Sequence, residues 1–384
     1  MKASALAVRV RRSLVSLPPP LENIKAVVPP LPPAALVPGD LRLHGEAQKA
    51  LGKINGFVRG LPGRRFLATR MLERQEAVHS SAIEGTYATL ADLLTLDADE
   101  GDSADDVLQV RQYALILGAS LGNVRDEGMR AITVPLLRKL HVAVLEADPK
   151  ADGWRGRLRA MPVRIGGRSF ETATFIPPPP DQLFLCLWRH FRWLRDDEIR
   201  FKNSSIARIA CAHAHFEAIH PFMDGNGRVG RLLMALMFAA EGDEPLYLSP
   251  YIDANKDHYY AALRAAQQRD DWGAMIDFIS MATIATVDEI LRVHDRLSTL
   301  IADWRAHFQP RSGSVLDRLL DLLPDYPSLS VKLAAEKLGV SYPAVSGYIE
   351  LLHKEGILVE TTGQARNRRF VADAIVALFQ PNRD

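Results

Sequence analysis

The sequence predicts an all-helical body carrying one small β-hairpin, followed by a separate C-terminal unit of three helices and a hairpin. Apolar residues recur at helical spacing through most of the chain. One stretch, around 163–176, alternates as paired strands do on either side of Gly166-Gly167. A break at Pro310 and Gly313 precedes a final segment with its own helix, turn and hairpin signals. The chain has 384 residues, enough for two or three domains with cores of their own. Its composition, 47% hydrophobic and 24% charged, fits a soluble globular protein. A net charge of +1 exerts no overall pull toward nucleic acid or membrane. Cys186 and Cys211 both sit in helical patterns and read as buried thiols in a reducing compartment. No apolar run is long enough to span a bilayer, and the start lacks a signal-peptide core, so the expected location is the cytoplasm.

Residues 1–40 are rich in proline and are expected to run extended over a surface rather than form a core element. Helical spacing then covers 46–58, stopped by Leu61-Pro62-Gly63, and 65–83, with Leu67, Met71, Leu72 and Ala77 on the buried face. The second of these ends in Ser80-Ser81-Ala82-Ile83-Glu84-Gly85. Ser80 and Glu84 share one face. A carboxylate at a helix C-terminus is disfavoured by the dipole unless a cation faces it, so Glu84 should have an arginine partner. Residues 97–106 carry six acidic side chains and read as a surface loop, with Ser103 or Asp105 capping the next helix. Helices follow over 107–121 and 133–145, then the hairpin at 163–176, ended by Pro177 to Pro180. Further helices are expected over 182–194, 204–219 and 232–240, from Tyr259-Tyr260 to about Gln267, and over 276–293 and 296–308.

In the last segment, 315–323 and 330–338 read as helices. Ser341 caps a third, with Pro343 in its first turn. Residues 357–360 and 368–371 flank a turn as a hairpin. Three helices and a hairpin resemble a winged helix, and Arg366, Arg368 and Arg369 on the wing are placed to meet phosphates.

The chemistry concentrates in His220-Pro221-Phe222-Met223-Asp224-Gly225-Asn226-Gly227-Arg228-Val229-Gly230-Arg231. This stretch reads as a loop opening onto a helix N-terminus. Free N–H groups and the helix dipole make such a place an anion site, and Gly225 and Gly227 allow close approach of a ligand. Arg228, Arg231 and Asn226 add donors suited to phosphate oxygens. Asp224 is a hard oxygen ligand for a phosphate-bound magnesium ion. His220 accepts a proton near neutral pH. Together they point to transfer of a phosphorus-containing group. His213 and Glu217 lie one turn apart near His220, but not at the His-Glu-x-x-His spacing of a zinc helix. Phe222 reads as a packing anchor for the loop. Tyr259 or Tyr260 is a candidate to stack on adenine, packing between helices being the plainer reading of either alone, and Gln267 is a candidate nucleoside contact.

The pattern His220-Pro221-Phe222-x-Asp224-Gly225-Asn226-Gly227-Arg228-x-x-Arg231 resembles the signature of the Fic family, whose members transfer AMP from ATP to hydroxyl side chains of proteins. The resemblance implies an N-terminal associated region over 1–106, a catalytic core over 107–290, a linker helix over 291–313 and a winged-helix domain over 314–384. It implies His220 as the base, Asp224 as the magnesium ligand, and residues 225–231 as the cradle for ATP. It further implies that Thr172, Ala173, Thr174 and Phe175 of the hairpin lie over nucleotide and target. Ser80-x-x-x-Glu84-Gly85 resembles the family's inhibitory motif, which implies that Glu84 pairs with Arg231 in the place of the γ-phosphate and turns transfer off. The target would be a Ser, Thr or Tyr hydroxyl on another protein. A homodimer is compatible with the sequence. Two alternatives remain: a DNA-binding regulator whose nucleotide loop is only a sensor, and a Fic-fold enzyme that performs other phosphotransfer or removes AMP.

Overall fold

A computed structural model describes residues 3–61, 68–98, 104–364 and 366–380. The body is built around two central helices, α9 (Ser205–Ile219) and α10 (Asn226–Ala240), buried on nearly all sides. Such helices sit inside a bundle, because no face is left for water. The alanines of α9 keep it slim enough for α7 (Leu183–Leu194), α12 (Lys256–Arg269) and α13 (Gly273–Phe308) to pack on it. Against α10 lie α5 (Asp105–Glu127), α6 (Val134–Val144) and α3 (Thr69–Ile83). The outer helices are α2 (Leu41–Gly60), α4 (Leu90–Ala98), α8 (Asp197–Lys202) and α11 (Ser249–Ala254). Among the described residues no helix is long and apolar enough to cross a membrane.

Several expectations shift for local reasons. The signature is half helix: only residues 220–225 form the loop, and α10 already begins at Asn226. Glycines at 227 and 230 do not break that helix because its burial outweighs their weak propensity. Residues 276–308 are not two helices but part of one, α13, since Val293, Leu297 and Ile301 carry the apolar spacing through the expected gap. α2 starts earlier than expected, where Asp40 accepts from the amides of Arg42 and Leu43. α4 was not expected at all. Thr89 and Asp92 cap it reciprocally, each bonding the other's backbone amide, a Thr-x-x-Asp signal present in the sequence. Asp97 belongs to this helix and pairs with Arg74, not to an acidic loop. Ala104 takes the N-cap position of α5, with Asp105 inside the helix, and Ser103 lies outside the described residues, as do 65–67 at the expected start of α3.

The proline-rich start is also more than a drape. α1 (Val8–Arg11) leads into strands β1 (Leu14–Ser16) and β2 (Lys25–Val27), antiparallel with Leu14 opposite Val27. They bury Leu17, Ala26 and Val27 against Ala173, Phe175 and Ile176, and the Val27 amide donates to the Ile176 carbonyl at 2.9 Å. The expected hairpin at 163–176 shrinks to one bridge between Ile165 and Phe175. Its pairing stops there because Gly166 and Gly167 both turn left-handed and Thr172 Oγ1 gathers the amides of Arg168 and Ser169 into a local turn.

The last segment contains α14 (Val315–Leu322), α15 (Val331–Leu338), α16 (Tyr342–Lys354) and α17 (Asp373–Leu378). Strands β3 (Ser328–Ser330), β4 (Val359–Glu360) and β5 (Arg369–Val371) form an antiparallel sheet in the order β3-β5-β4. The third strand and α17 were not anticipated. Ser341 holds the cap position of α16 without a side-chain bond. This segment is tied to the body: Arg305 of α13 pairs with Asp317 and Asp321, and Gln75 of α3 donates to the Phe379 carbonyl at 2.6 Å. The expected linker at 291–313 is therefore mostly continuous helix.

Candidate active site

α9 ends at His220, whose φ of +48° puts it in the left-handed region and turns the chain out of the helix. A buried arginine holds that turn. Arg159 donates from Nε to the His220 carbonyl at 2.8 Å and from Nη2 to the Pro178 carbonyl at 2.6 Å. The next residues are pinned from beneath. Phe222 is fully buried and stacks on His141 with ring centroids 3.8 Å apart. His141 Nδ1 accepts from the Gly156 amide, so the proton sits on Nε2, which donates to the Asp224 carbonyl at 3.0 Å. The Asn226 side chain closes the loop, its oxygen accepting from the Phe222 amide and its nitrogen donating to the Phe222 carbonyl, both at 2.9 Å. That buried side chain is a staple rather than a ligand donor. Gly225 is left-handed at +73°, where a side chain would be strained.

His220 stays neutral in this setting. Burial and the nearby Arg159 charge push its imidazole down to about 4. Its Nδ1 lies 3.9 Å from Glu217 Oε2. This is not an ion pair at neutral pH, because burial pushes the Glu217 carboxyl up to about 8. Asp224 is exposed at the mouth of the loop, with Oδ1 accepting from the Gly225 amide at 2.6 Å.

Facing the imidazole is the N-terminus of α10. The Val229 amide is the first to close onto a helix carbonyl, that of Gly225, so the amides of Asn226, Gly227 and Arg228 have no acceptor within the helix. The carboxylate of Glu84 lies against this turn: a Cβ added to Gly227 would lie 2.1 Å from Glu84 Oε1. Arg231 holds it there. Its guanidinium, 2% exposed, donates to Ser80 Oγ at 3.0 Å, to the Ser80 carbonyl at 2.8 Å and to Glu84 Oε1 at 2.8 Å. Burial alone would raise the Glu84 carboxyl, but Arg231 outweighs it and the group lies below the usual range. Glu84 therefore has the arginine partner that the helix dipole demanded, and an anion already occupies the cradle. Arg228 is buried beside it, bonded from Nη1 to Gln109 Oε1 at 2.9 Å and to the Val144 carbonyl at 3.1 Å.

Other expected contacts fall differently. Val229 is core, and Gly230 gives room to Glu217, whose Oε1 would lie 2.3 Å from a Cβ there; both position α10 and neither faces the cradle. The side chains of Ala173 and Phe175 are buried against the N-terminal strands, and Thr172 is spent on its own turn, so this edge offers backbone rather than those side chains. The Thr174 carbonyl accepts from Gln268 Nε2 at 3.0 Å. Tyr259 is buried, with its hydroxyl 2.7 Å from His213 Nε2, which makes packing its role and gives His213 a structural partner. Tyr260 is partly exposed and feels the charges of Glu84 and Arg231, whereas Gln267 is buried. Sequence reading missed Arg159, His141 and Gln109. Each lies far along the chain from the signature, with nothing local to mark it.

A helical body that presents a neutral imidazole beside a helix-terminal anion seat is the arrangement that the resemblance of the signature implied. Comparison with known proteins agrees. Residues 131–238 match the model of the Fic/DOC family and residues 41–120 that of the Fic/DOC family N-terminal region. Over these segments the chain belongs to the Fic/DOC family. It is 29% identical over 250 residues to the protein adenylyltransferase Fic of Drosophila yakuba, an alignment covering 63% of this chain and 45% of that protein. It is 29% identical over 231 residues to the protein of the same name from Culex quinquefasciatus, covering 58% and 43%. The chain thus spans less than half the length of these curated relatives. Among solved structures, a Fic family protein from Desulfovibrio desulfuricans G20 superposes with a TM-score of 0.54 at 20% identity, over 89% of this chain and 98% of that one. Fic-1 of C. elegans (residues 134–508) gives 0.51 at 21%, over 66% and 73%. At these identities the likeness is one of fold.

Proposed function

We propose that this chain transfers AMP from ATP to a Ser, Thr or Tyr hydroxyl of a protein target, and that Glu84 restrains the reaction. The observation that carries the reading is the pairing of a neutral His220 with an anion seat at the start of α10 that already accepts a carboxylate. In the proposed reaction His220 takes the hydroxyl proton. The freed oxygen forms a bond to the α-phosphorus of ATP as the bond to the β-phosphate bridge breaks, and pyrophosphate leaves. Amides at the start of α10 meet negative charge on the phosphates. Arg231, released from Glu84, holds the outer phosphates in line. Asp224 fits magnesium by its exposed carboxylate at the rim of an anion seat, and would hold an ion that neutralises phosphate charge. The relatives' name, protein adenylyltransferase, supports the same chemistry. The test is mass spectrometry of the Glu84→Gly chain and of candidate targets after incubation with ATP. An added AMP, lost with His220→Ala, is expected; an added phosphoryl group, loss of AMP from a modified protein, or no adduct refutes the reading.

We read the last segment, in its order α14, β3, α15, α16, β4, β5, as a winged helix that serves as a docking module. The face of α16 bearing Tyr342, Ser346 and Glu350 lines a cavity of about 650 Å³ whose far wall includes Arg70 and Arg111 of the body. The body thus stands across from that face of α16, which argues against DNA reading in this arrangement. A salt-sensitive shift of a labelled duplex at physiological salt would reverse that reading.

A further inference from the structure

The cavity of about 650 Å³ between the body and the last segment has the size and the interdomain place of a small-molecule site. Its charge is unbalanced: six cationic side chains line it against three carboxylates. On the body side the imbalance gathers at Asp97. That one carboxylate serves three arginines. Arg74, mostly buried, bonds it directly, Arg111 Nε lies 3.3 Å from Oδ1, and Arg70 Nη2 lies 3.9 Å from Oδ2. Glu73, which feels both Arg70 and Arg74, adds only part of a charge at neutral pH, because burial pushes its carboxyl up to about 7. Arg70 Nε is buried with no acceptor among the described residues. The Arg70 guanidinium lies over the Tyr326 ring, 4.3 Å from its centroid, which limits where its N–H groups can point. Across the cavity the surplus recurs. Lys337 pairs with Glu336 at 2.9 Å and Arg368 pairs with Glu350. The carboxylates of the lining are thereby spent, and Lys332 of α15 and Arg366 of the turn before β5 are left over. Cations gathered around a partly enclosed space repel one another, and burying them is costly unless an anion joins them.

We propose that this cavity binds the diphosphate group of a small molecule, with Arg70 and Arg111 on one side of it and Lys332 and Arg366 on the other. The lining carries three more cations than carboxylates, and a diphosphate carries on the order of three negative charges at neutral pH. Guanidinium forks match phosphate oxygens, and lysine adds a point charge. A lone carboxylate brings one charge and leaves most of the surplus unmet. The site is distinct from the anion seat at the start of α10: Arg70 and Ser80 stand about 15 Å apart along α3. Bound in the cavity, the diphosphate ties α3 and α5 of the body to α15 and the wing.

Calorimetric titration of the full chain with inorganic pyrophosphate, free of divalent ions, tests this. The Gly227→Ala background keeps the α10 seat out of the measurement, because that change crowds the seat and leaves the cavity untouched. Saturable binding is expected there, weakened at least about tenfold by Lys332→Glu and likewise by Arg366→Glu, since each reversal removes a charge-assisted contact and adds a repulsion. Both side chains are exposed, so each variant should melt with the parent when no ligand is added, which excludes misfolding as the cause. Pyrophosphate should raise the melting temperature of the parent and leave that of Lys332→Glu/Arg366→Glu unmoved. ADP in the Gly227→Ala background separates the sources of the group: displacement of pyrophosphate means that an ester-linked diphosphate is taken, and no displacement restricts the ligand to the free ion. Absence of pyrophosphate binding, or binding and melting shifts indifferent to both reversals, overturns the proposal.

Discussion

Replacing Glu84 with Gly isolates the contact that governs the site. The carboxylate accepts a charge-assisted hydrogen bond from Arg231 at 2.8 Å and lies against Gly227 in the first turn of α10. Phosphates that need both groups must first displace it. A hydrogen bond of this kind contributes about 1.5–3 kcal/mol, so its removal should raise productive ATP binding and AMP transfer by roughly tenfold to a hundredfold. The fold should suffer in return. Arg231 is buried and loses its counter-charge, a change that costs about 3–5 kcal/mol where nothing else compensates. Ser80 still accepts from Arg231 through Oγ and carbonyl, which places the loss near the lower end, about 3 kcal/mol. The variant should therefore melt earlier than the parent and gain more from added ATP, whose phosphates replace the lost charge. Transfer of α-labelled ATP, read beside melting curves with and without nucleotide, measures both effects. A folded Glu84→Gly protein with parental labelling and parental ATP affinity would refute the reasoning.

Other perturbations give equally definite outcomes. His220→Ala should abolish AMP transfer and leave ATP binding within about threefold, because the imidazole handles the proton and not the phosphates; calorimetric titration checks the second part. Gly227→Ala puts a methyl group where Glu84 Oε1 now sits, 2.1 Å from that atom, so it should weaken ATP binding at least about tenfold and do so in the Glu84→Gly background too. Stability should peak near pH 6.5. His141, His215 and His220 are held down at about 4 and His213 at about 3, all from 6.5, so the unfolded chain binds more protons between these values and stability rises with pH up to 6.5. Glu73 and Glu217, raised from 4.5 to about 7 and about 8, act with the opposite sign and shape the fall above 6.5 together with Glu76, whose carboxyl burial also raises. Glu217→Gln should flatten that alkaline limb in melting curves taken from pH 6 to about 8; an unchanged limb would assign it elsewhere.

The sequence by itself determined most of the helices, though not α4 or α17, and where the chemistry lies. Helical periodicity marks α3, α7, α9 and most of α13 because burial of one face repeats every turn, and that rhythm is written locally. The helix dipole was enough to require a cation for Glu84 before any partner was in view. Tertiary structure alone decided what happens between distant segments. That Asn226 staples the loop instead of reaching a ligand depends on the Phe222 backbone folding back to it. That the 163–176 segment keeps only one bridge, and turns Ala173 and Phe175 inward, depends on strands contributed by residues 14–27. The arginine that locks His220 and the histidine that locks Asp224 sit 61 and 83 residues away from their acceptors. Such contacts leave no periodic trace in the chain. They arise only when packing brings buried donors to carbonyls that water can no longer reach, and a donor so placed must find its acceptor there.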